Sequence, residues 1–99
     1  MLKLEVLISA MNQNDLSIAD RSLCDSDVLI INQTNKNSFC EADRDFGHIR
    51  MLSTTERGLS RSRNMAINMA RADICLFCDD DEILDKNYHN IIVSTFEKT

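Results

Sequence analysis

The stretch Ile74-Cys75-Leu76-Phe77-Cys78-Asp79-Asp80-Asp81-Glu82 decides how this chain folds. Its five leading apolar residues have the length and composition of a strand buried on both faces of a parallel sheet. Four acidic residues follow without a gap. Carboxylates this close repel one another, and at neutral pH something must offset the repulsion. Water does so on an open loop, where runs of like charge usually lie. At the carboxyl end of a buried strand, where open α/β sheets bind their ligands, a hard divalent cation such as Mg²⁺ or Mn²⁺ is the other candidate. The acidic run alone leaves both readings open.

Outward from this strand the segments alternate. Leu4 to Ser9 reads as a first strand. Asn12 to Asp15 offers capping chemistry, and Leu16, Ala19 and Leu23 then share a helical face. Val28 to Ile31 is a second strand, Asn32 to Gly47 a long polar loop, and Ile49 to Ser53 a third strand. Ser60 can cap a helix that runs to about Arg71. Ile74 to Cys78 is the fourth strand, and Leu84, Tyr88, Ile91, Ile92, Thr95 and Phe96 share one face of a last helix. The alternation predicts an α/β fold: a mostly parallel, four-stranded sheet between helices, joined by right-handed crossovers.

At 99 residues the chain is one small domain. With 43% hydrophobic and 27% charged residues it has the composition of a soluble globular protein. A formal net charge of −5 argues against nucleic acid as a partner. No apolar stretch approaches the length of a transmembrane segment, and Met1-Leu2-Lys3-Leu4-Glu5 lacks the features of a signal peptide. These observations predict a cytoplasmic location and reduced thiols at Cys24, Cys40, Cys75 and Cys78. Cys75 and Cys78 form a C-x-x-C spacing, but residues three apart on a strand point to opposite faces. Two small core residues are therefore expected rather than a zinc or redox pair. His48 and His89 are expected in structural or surface roles.

A helix that follows a parallel strand begins at the sheet's carboxyl edge. The helix after the third strand thus has its N-terminus at the same crevice as the acidic run. Leu59, Arg63, Ala66, Ile67 and Ala70 fall on one stripe, which predicts Arg63 as the one charged residue on the inward face. A buried arginine needs a partner. That partner is either a carboxylate of the acidic run or the diphosphate or base of a nucleotide. Gly58 is expected to supply a positive φ or a close backbone approach.

The stretch R-G-L-S-R-S-R-N-M-A (residues 57–66), a helix, and then D-I-C-L-F-C-D-D-D-E (residues 73–82) together resemble the family 2 glycosyltransferases. Those enzymes carry a comparable G-x-x-x-A-R-N helix followed by an apolar strand that ends in D-x-D. With the first strand and Asn12, the similarity spans essentially the whole chain. It implies a Rossmann-like, three-layer A-type glycosyltransferase fold with sheet order 3-2-1-4, binding a nucleotide diphosphate sugar and Mn²⁺ or Mg²⁺. Asp79 matches the first acid of D-x-D, near the ribose or the metal, and Asp81 the last, the usual direct metal ligand. The resemblance thus gives Asp79 and Asp81 as the metal residues. Asp80 fills the variable position and faces the sugar. Arg63 matches the arginine near the nucleotide. Ser9 and Asn12 belong to the end of the first strand and the loop that wraps the base. Asn32 and Gln33 stand where two aspartates are common.

Four positions depart from the pattern. Amides at Asn32 and Gln33 can donate as well as accept, which leaves the base preference open. Met11 stands where an aromatic is common, and Ala72 where glycine is. Family members also run well beyond this length. The resemblance therefore implies that residues 1–99 are a single nucleotide-sugar-binding subdomain, without the acceptor-binding half and its catalytic base, and inactive in transfer alone. The full-length enzyme would work in the cytoplasm, at the inner face of the membrane. The alternative class is a non-catalytic nucleotide-binding, metal-binding or protein-interaction module. A phosphoacceptor receiver is excluded, because Ser9-Ala10-Met11-Asn12 offers no acid after the first strand. An apolar fourth strand left at a sheet edge predicts a homodimer through that strand or the last helix.

Overall fold

The computed structural model describes residues 2–98. In chain order the elements are β1 (Leu4–Met11), α1 (Ile18–Arg21), β2 (Asp27–Gln33), β3 (Ser38–Arg44), β4 (Gly47–Thr54), α2 (Leu59–Met69), β5 (Ile74–Asp79) and α3 (Tyr88–Glu97). They form one α/β unit around a five-stranded sheet of order β3-β4-β2-β1-β5. β4, β2, β1 and β5 are parallel, in the order expected for the four predicted strands.

The fifth strand is a correction. β3 lies inside the stretch read as a loop and pairs antiparallel with β4. Its residues are exposed on both faces apart from the half-buried Arg44, so no period-2 pattern marks it. The hairpin is set instead by its tight turn, with Arg44 paired to Gly47 across Asp45-Phe46. Gly47 has φ +150°, and a Cβ there would lie 2.7 Å from the Asp27 backbone nitrogen. The turn therefore excludes any side chain at Gly47.

One face of the sheet buries Val6, Ile8, Val28, Ile30 and Ile49 against Ile18 and Ala19 of α1 and Tyr88 and Val93 of α3. The other buries Leu7, Leu29 and Ile31 against Ala66 of α2. β1 and β2 are thus covered twice. β5 is not: Cys75 and Phe77 are exposed, Phe77 by 42%, because α2 lies over β1 and β2 and leaves the edge strand thinly covered. Cys78 points to the buried face, away from Cys75, as strand geometry requires. Burial pushes the Cys78 thiol up to about 11 and that of Cys24 up to about 12, so both are protonated core residues at neutral pH.

Three helical faces differ from the expected ones. α1 is a single turn, and Leu23 lies beyond it, exposed, at φ +58°. In α3 the buried residues are Tyr88 and Val93, with Leu84 and Ile92 partly buried, while Ile91 and Phe96 are exposed. The helix begins only at Tyr88, so Leu84 belongs to the preceding loop and does not fix its phase. The Tyr88 hydroxyl anchors that helix: it accepts from the Asp25 N–H at 2.9 Å and lies 2.7 Å from Ser26 Oγ. α2 buries Ser62 and Ala66 and exposes Leu59, Arg63 and Ile67. The small residues let the helix approach the sheet, and Ser62 Oγ donates to Ser9 Oγ at 2.8 Å. Arg63 therefore avoids a desolvation cost it has no buried partner to offset.

The buried cation is Arg50. It and Glu5 are each 3% exposed. Arg50 Nη2 donates to Glu5 Oε2 at 2.9 Å and to the Met69 carbonyl at 3.0 Å. The other Glu5 oxygen accepts from the Arg71 N–H at 3.0 Å. The pair fastens the C-terminal end of α2 to the sheet and offers its last carbonyls a positive charge.

On β4, both ring nitrogens of His48 meet carboxylates of β3: Nδ1 to Asp43 and Nε2 to Glu41, each at 2.6 Å. The Asp43 hydrogen bond, then that of Glu41, raises the His48 pKa above 6.5. A raised value means stabilisation that is fully present below pH 6.5 and lost as pH rises through the folded midpoint. A titration of the His48 ring signals by NMR is expected to give a midpoint above 6.5. His48→Asn should flatten the pH dependence of thermal unfolding across the same window.

Candidate functional site

A cleft of about 540 Å³ opens at the carboxyl edge of the sheet. Ser9, Ala10 and Met11 of β1 and Gln33 of β2 form its floor. Arg57, Gly58, Leu59 and Ser62 form one wall, and Asp79, Asp80 and Asp81 the other. Parallel strands end here together, so backbone loops and a helix N-terminus converge on one opening.

Each wall is fixed by its own hydrogen bonds. Ser9 stands in register with Asp79 on β5, and its hydroxyl holds Ser62 of α2. Gln33 Nε2 donates to the Gly58 carbonyl at 2.9 Å, which ties the start of α2 to the end of β2. Gly58 has φ +106°, and a Cβ there would meet nothing within 4 Å. The glycine is thus required by backbone conformation and not by space. On the acidic wall the Asp79 N–H donates to Glu82 Oε1 at 2.8 Å, and the Glu82 N–H to the Asp79 carbonyl at 3.1 Å. Glu82 closes the turn, and the side chains of Asp79, Asp80 and Asp81 are left exposed at the lip.

Of the residues singled out in the sequence, the cleft brings together Ser9, Gln33, Asp79, Asp80 and Asp81. Asn32, Asn12 and Arg63 lie outside its lining. Asn32 is fully buried. Its Oδ1 accepts from the Gln13 N–H at 2.9 Å, and its Nδ2 donates to the Gln13 carbonyl at 2.9 Å and to Ser53 Oγ at 3.0 Å. That amide pins the β1–α1 loop. Asn12 is exposed at φ +55° and donates its N–H to the Gln33 carbonyl at 3.0 Å. Arg63 was expected to face inward. Instead its guanidinium sits 5.7 Å from the Phe77 ring centroid on the outer surface, a cation–π contact and neither of the two partners considered for it.

The residue that sequence reasoning missed is Arg57. It is the one cation that lines the cleft among the described residues. It precedes Gly58 directly, and a cation placed just before a helix-opening glycine was the available signal. Three carboxylates against one guanidinium leave the lining with two net negative charges. Among the described residues no three His, Cys, Asp or Glu side chains converge as metal ligands. Two open carboxylates are nevertheless the hard oxygen donors with which Mg²⁺ is bound when phosphates complete its shell. The donor set fits a cation shared with a phosphate ligand, not a closed protein cage.

Fold and cleft together define an α/β protein with an open cleft at the carboxyl ends of its strands. Comparison with known families is more specific. The model for glycosyl transferase family 2 matches residues 4–99, and the chain belongs to that family. No curated protein and no solved structure matches it. No helix among the described residues is long and apolar enough to cross a membrane.

Proposed function

We propose that this chain is the donor-binding half of a metal-dependent, inverting glycosyltransferase that takes a sugar from a nucleotide diphosphate sugar. The observation that carries this reading is the cleft itself: in a member of this family, an acidic lip on β5 faces a helix start across the carboxyl edge of the sheet. Asp79 and Asp81 would hold Mn²⁺ or Mg²⁺, which cancels the two net negative charges of the lining and, when bound, supplies charge neutralisation for a leaving diphosphate. Asp80 lies towards the sugar. Gln33 and Ser9 lie on the nucleotide side, with Asn12 and Asn32 shaping the neighbouring loop. The acceptor and its activating base belong to a second half, and the pathway is the synthesis of a surface polysaccharide or glycoconjugate in the cytoplasm.

Calorimetry with Mn²⁺ and UDP or GDP tests the reading. Asp81→Ala is expected to weaken binding of the metal–nucleotide pair about tenfold, the loss of about 1.4 kcal/mol that one charge-assisted contact gives. Equal binding by the wild type and by Asp81→Ala would sink the assignment.

A second reading, a protein-interaction module, is favoured by one feature. Leu59 and Ile67 of α2 are 50% and 55% exposed and share the outer surface with Phe77 and Arg63, beside the edge strand β5. An open edge with an apolar flank is a template for pairing, so a homodimer through β5 or α3 is part of the proposal. Sedimentation over a concentration series checks it. A monomer at high micromolar concentration speaks against the dimer.

A further inference from the structure

We propose that Arg57, and not Arg63, is the cation that positions the anionic part of the ligand in the cleft. The inference rests on the reading of the cleft as a nucleotide diphosphate site. Arg57 lines that cleft, whereas Arg63 lies over Phe77 on the outer surface. The guanidinium of Arg57 is also built into the loop that shapes one wall. Its Nη1 donates to three successive main-chain carbonyls: Thr55 at 2.9 Å, Glu56 at 3.2 Å and Thr54 at 3.5 Å. Its Nη2 has one contact, to Asn35 Oδ1 at 3.5 Å, at the long limit of a hydrogen bond. Asn37 Oδ1 accepts from the Thr55 N–H at 3.0 Å, so the same loop is held from the β2–β3 connection as well.

Two consequences follow from this arrangement. Carbonyl oxygens on one nitrogen hold the loop from Thr54 to Glu56 and hence the wall, together with Asn37 on the Thr55 N–H and Gln33 on the Gly58 carbonyl. The second nitrogen, loosely held, keeps its N–H groups for a stronger acceptor, and a phosphate oxygen is one. A nucleotide diphosphate brought to a lining with an excess of carboxylates needs such a cation on the opposite wall. A lysine could carry the charge but has a single nitrogen, so it could not hold the main-chain carbonyls with one donor group and present a second to the ligand.

The test is calorimetry on the full chain, with Mn²⁺ alone and with Mn²⁺ plus UDP or GDP, for the wild type, Arg57→Ala, Arg57→Lys and Arg63→Ala. Thermal unfolding of each variant checks that it is folded. Arg57→Ala is expected to bind the nucleotide at least tenfold more weakly and to lose most of the salt dependence of binding, a readout that a merely structural role would not move. Arg57→Lys should recover part of the affinity, and Arg63→Ala should stay within twofold of the wild type. Binding of Mn²⁺ alone should not weaken in any of them. Wild-type binding matched by Arg57→Ala, or lost in Arg63→Ala instead, would overturn the inference and leave the reading of the cleft standing. No nucleotide binding by the wild type would overturn both.

Discussion

Arg50→Met alone is expected to lower the free energy of unfolding by about 3–5 kcal/mol, the usual cost of leaving one charge of a buried pair unpartnered. Such a loss is a large share of the stability of a small domain. The reason lies in what the variant strands. Glu5 is 3% exposed and would keep its bond from the Arg71 N–H but lose the guanidinium, and the Met69 carbonyl would lose its donor. Glu5→Leu should cost a similar amount, because Arg50 then keeps only the Met69 carbonyl. The double variant should be closer to the wild type than the sum of the two, since an apolar pair of similar volume removes both charges. Urea unfolding of the four proteins gives the coupling. Strict additivity would mean that the pair is not a unit and that α2 is held on the sheet by packing alone.

Arg50 and Glu5 also show where sequence reading stopped. The alternation of strands and helices and the acidic lip were legible because each leaves a local mark, an apolar run or a block of charge, and the sheet order came with the family resemblance. The expected cap at Ser60 is a correction, since α2 starts after Gly58 with no side-chain cap. Glu5 stands inside Leu4-Glu5-Val6 and Arg50 inside Ile49-Arg50-Met51. Each alone looks like an ordinary polar position of a strand, and only the sheet brings them together across 45 residues. β3 left no mark, because a strand exposed on both faces carries no alternation. The phase of α2 was misread for a related reason. Ala66 and Ala70 of the expected stripe do pack on the sheet, but Leu59 and Ile67 outrank Ser62 in hydrophobic bulk while close helix–sheet approach selects small residues, and that preference is tertiary. Gly58, read as a positive-φ position or a close approach, proved to be the former. The cation expected to face inward from this motif was Arg63, and the one that lines the cleft is Arg57, just before the helix start.

Asn32→Asp is expected to destabilise the chain by about 3 kcal/mol at neutral pH, the order of cost for a buried charge without its hydrogen-bond partners. The substitution restores the acid common at this place in the family, which makes its outcome informative. In this chain the Asn32 amide is a donor as well as an acceptor. Nδ2 donates to the Gln13 carbonyl and to Ser53 Oγ, and Oδ1 accepts from the Gln13 N–H. A carboxylate keeps the last of these, sets a negative charge against the Gln13 carbonyl, and does so at a site with no solvent exposure. Burial would raise its folded pKa above the unfolded value of about 3.9. The penalty therefore begins as pH rises past about 4 and is complete above the raised folded midpoint, and the variant should regain stability on acidification where the wild type does not. Unfolding curves of both proteins between pH 4 and pH 8 make the comparison. The β1–α1 loop, which Asn32 pins through Gln13, should loosen in the same pH range, with Asn12 and the Gln33 carbonyl as its nearest reporters. If the variant instead unfolds like the wild type at every pH and binds UDP more tightly, residue 32 reaches the ligand, and the buried amide bridge to Gln13 is not what holds that side of the cleft.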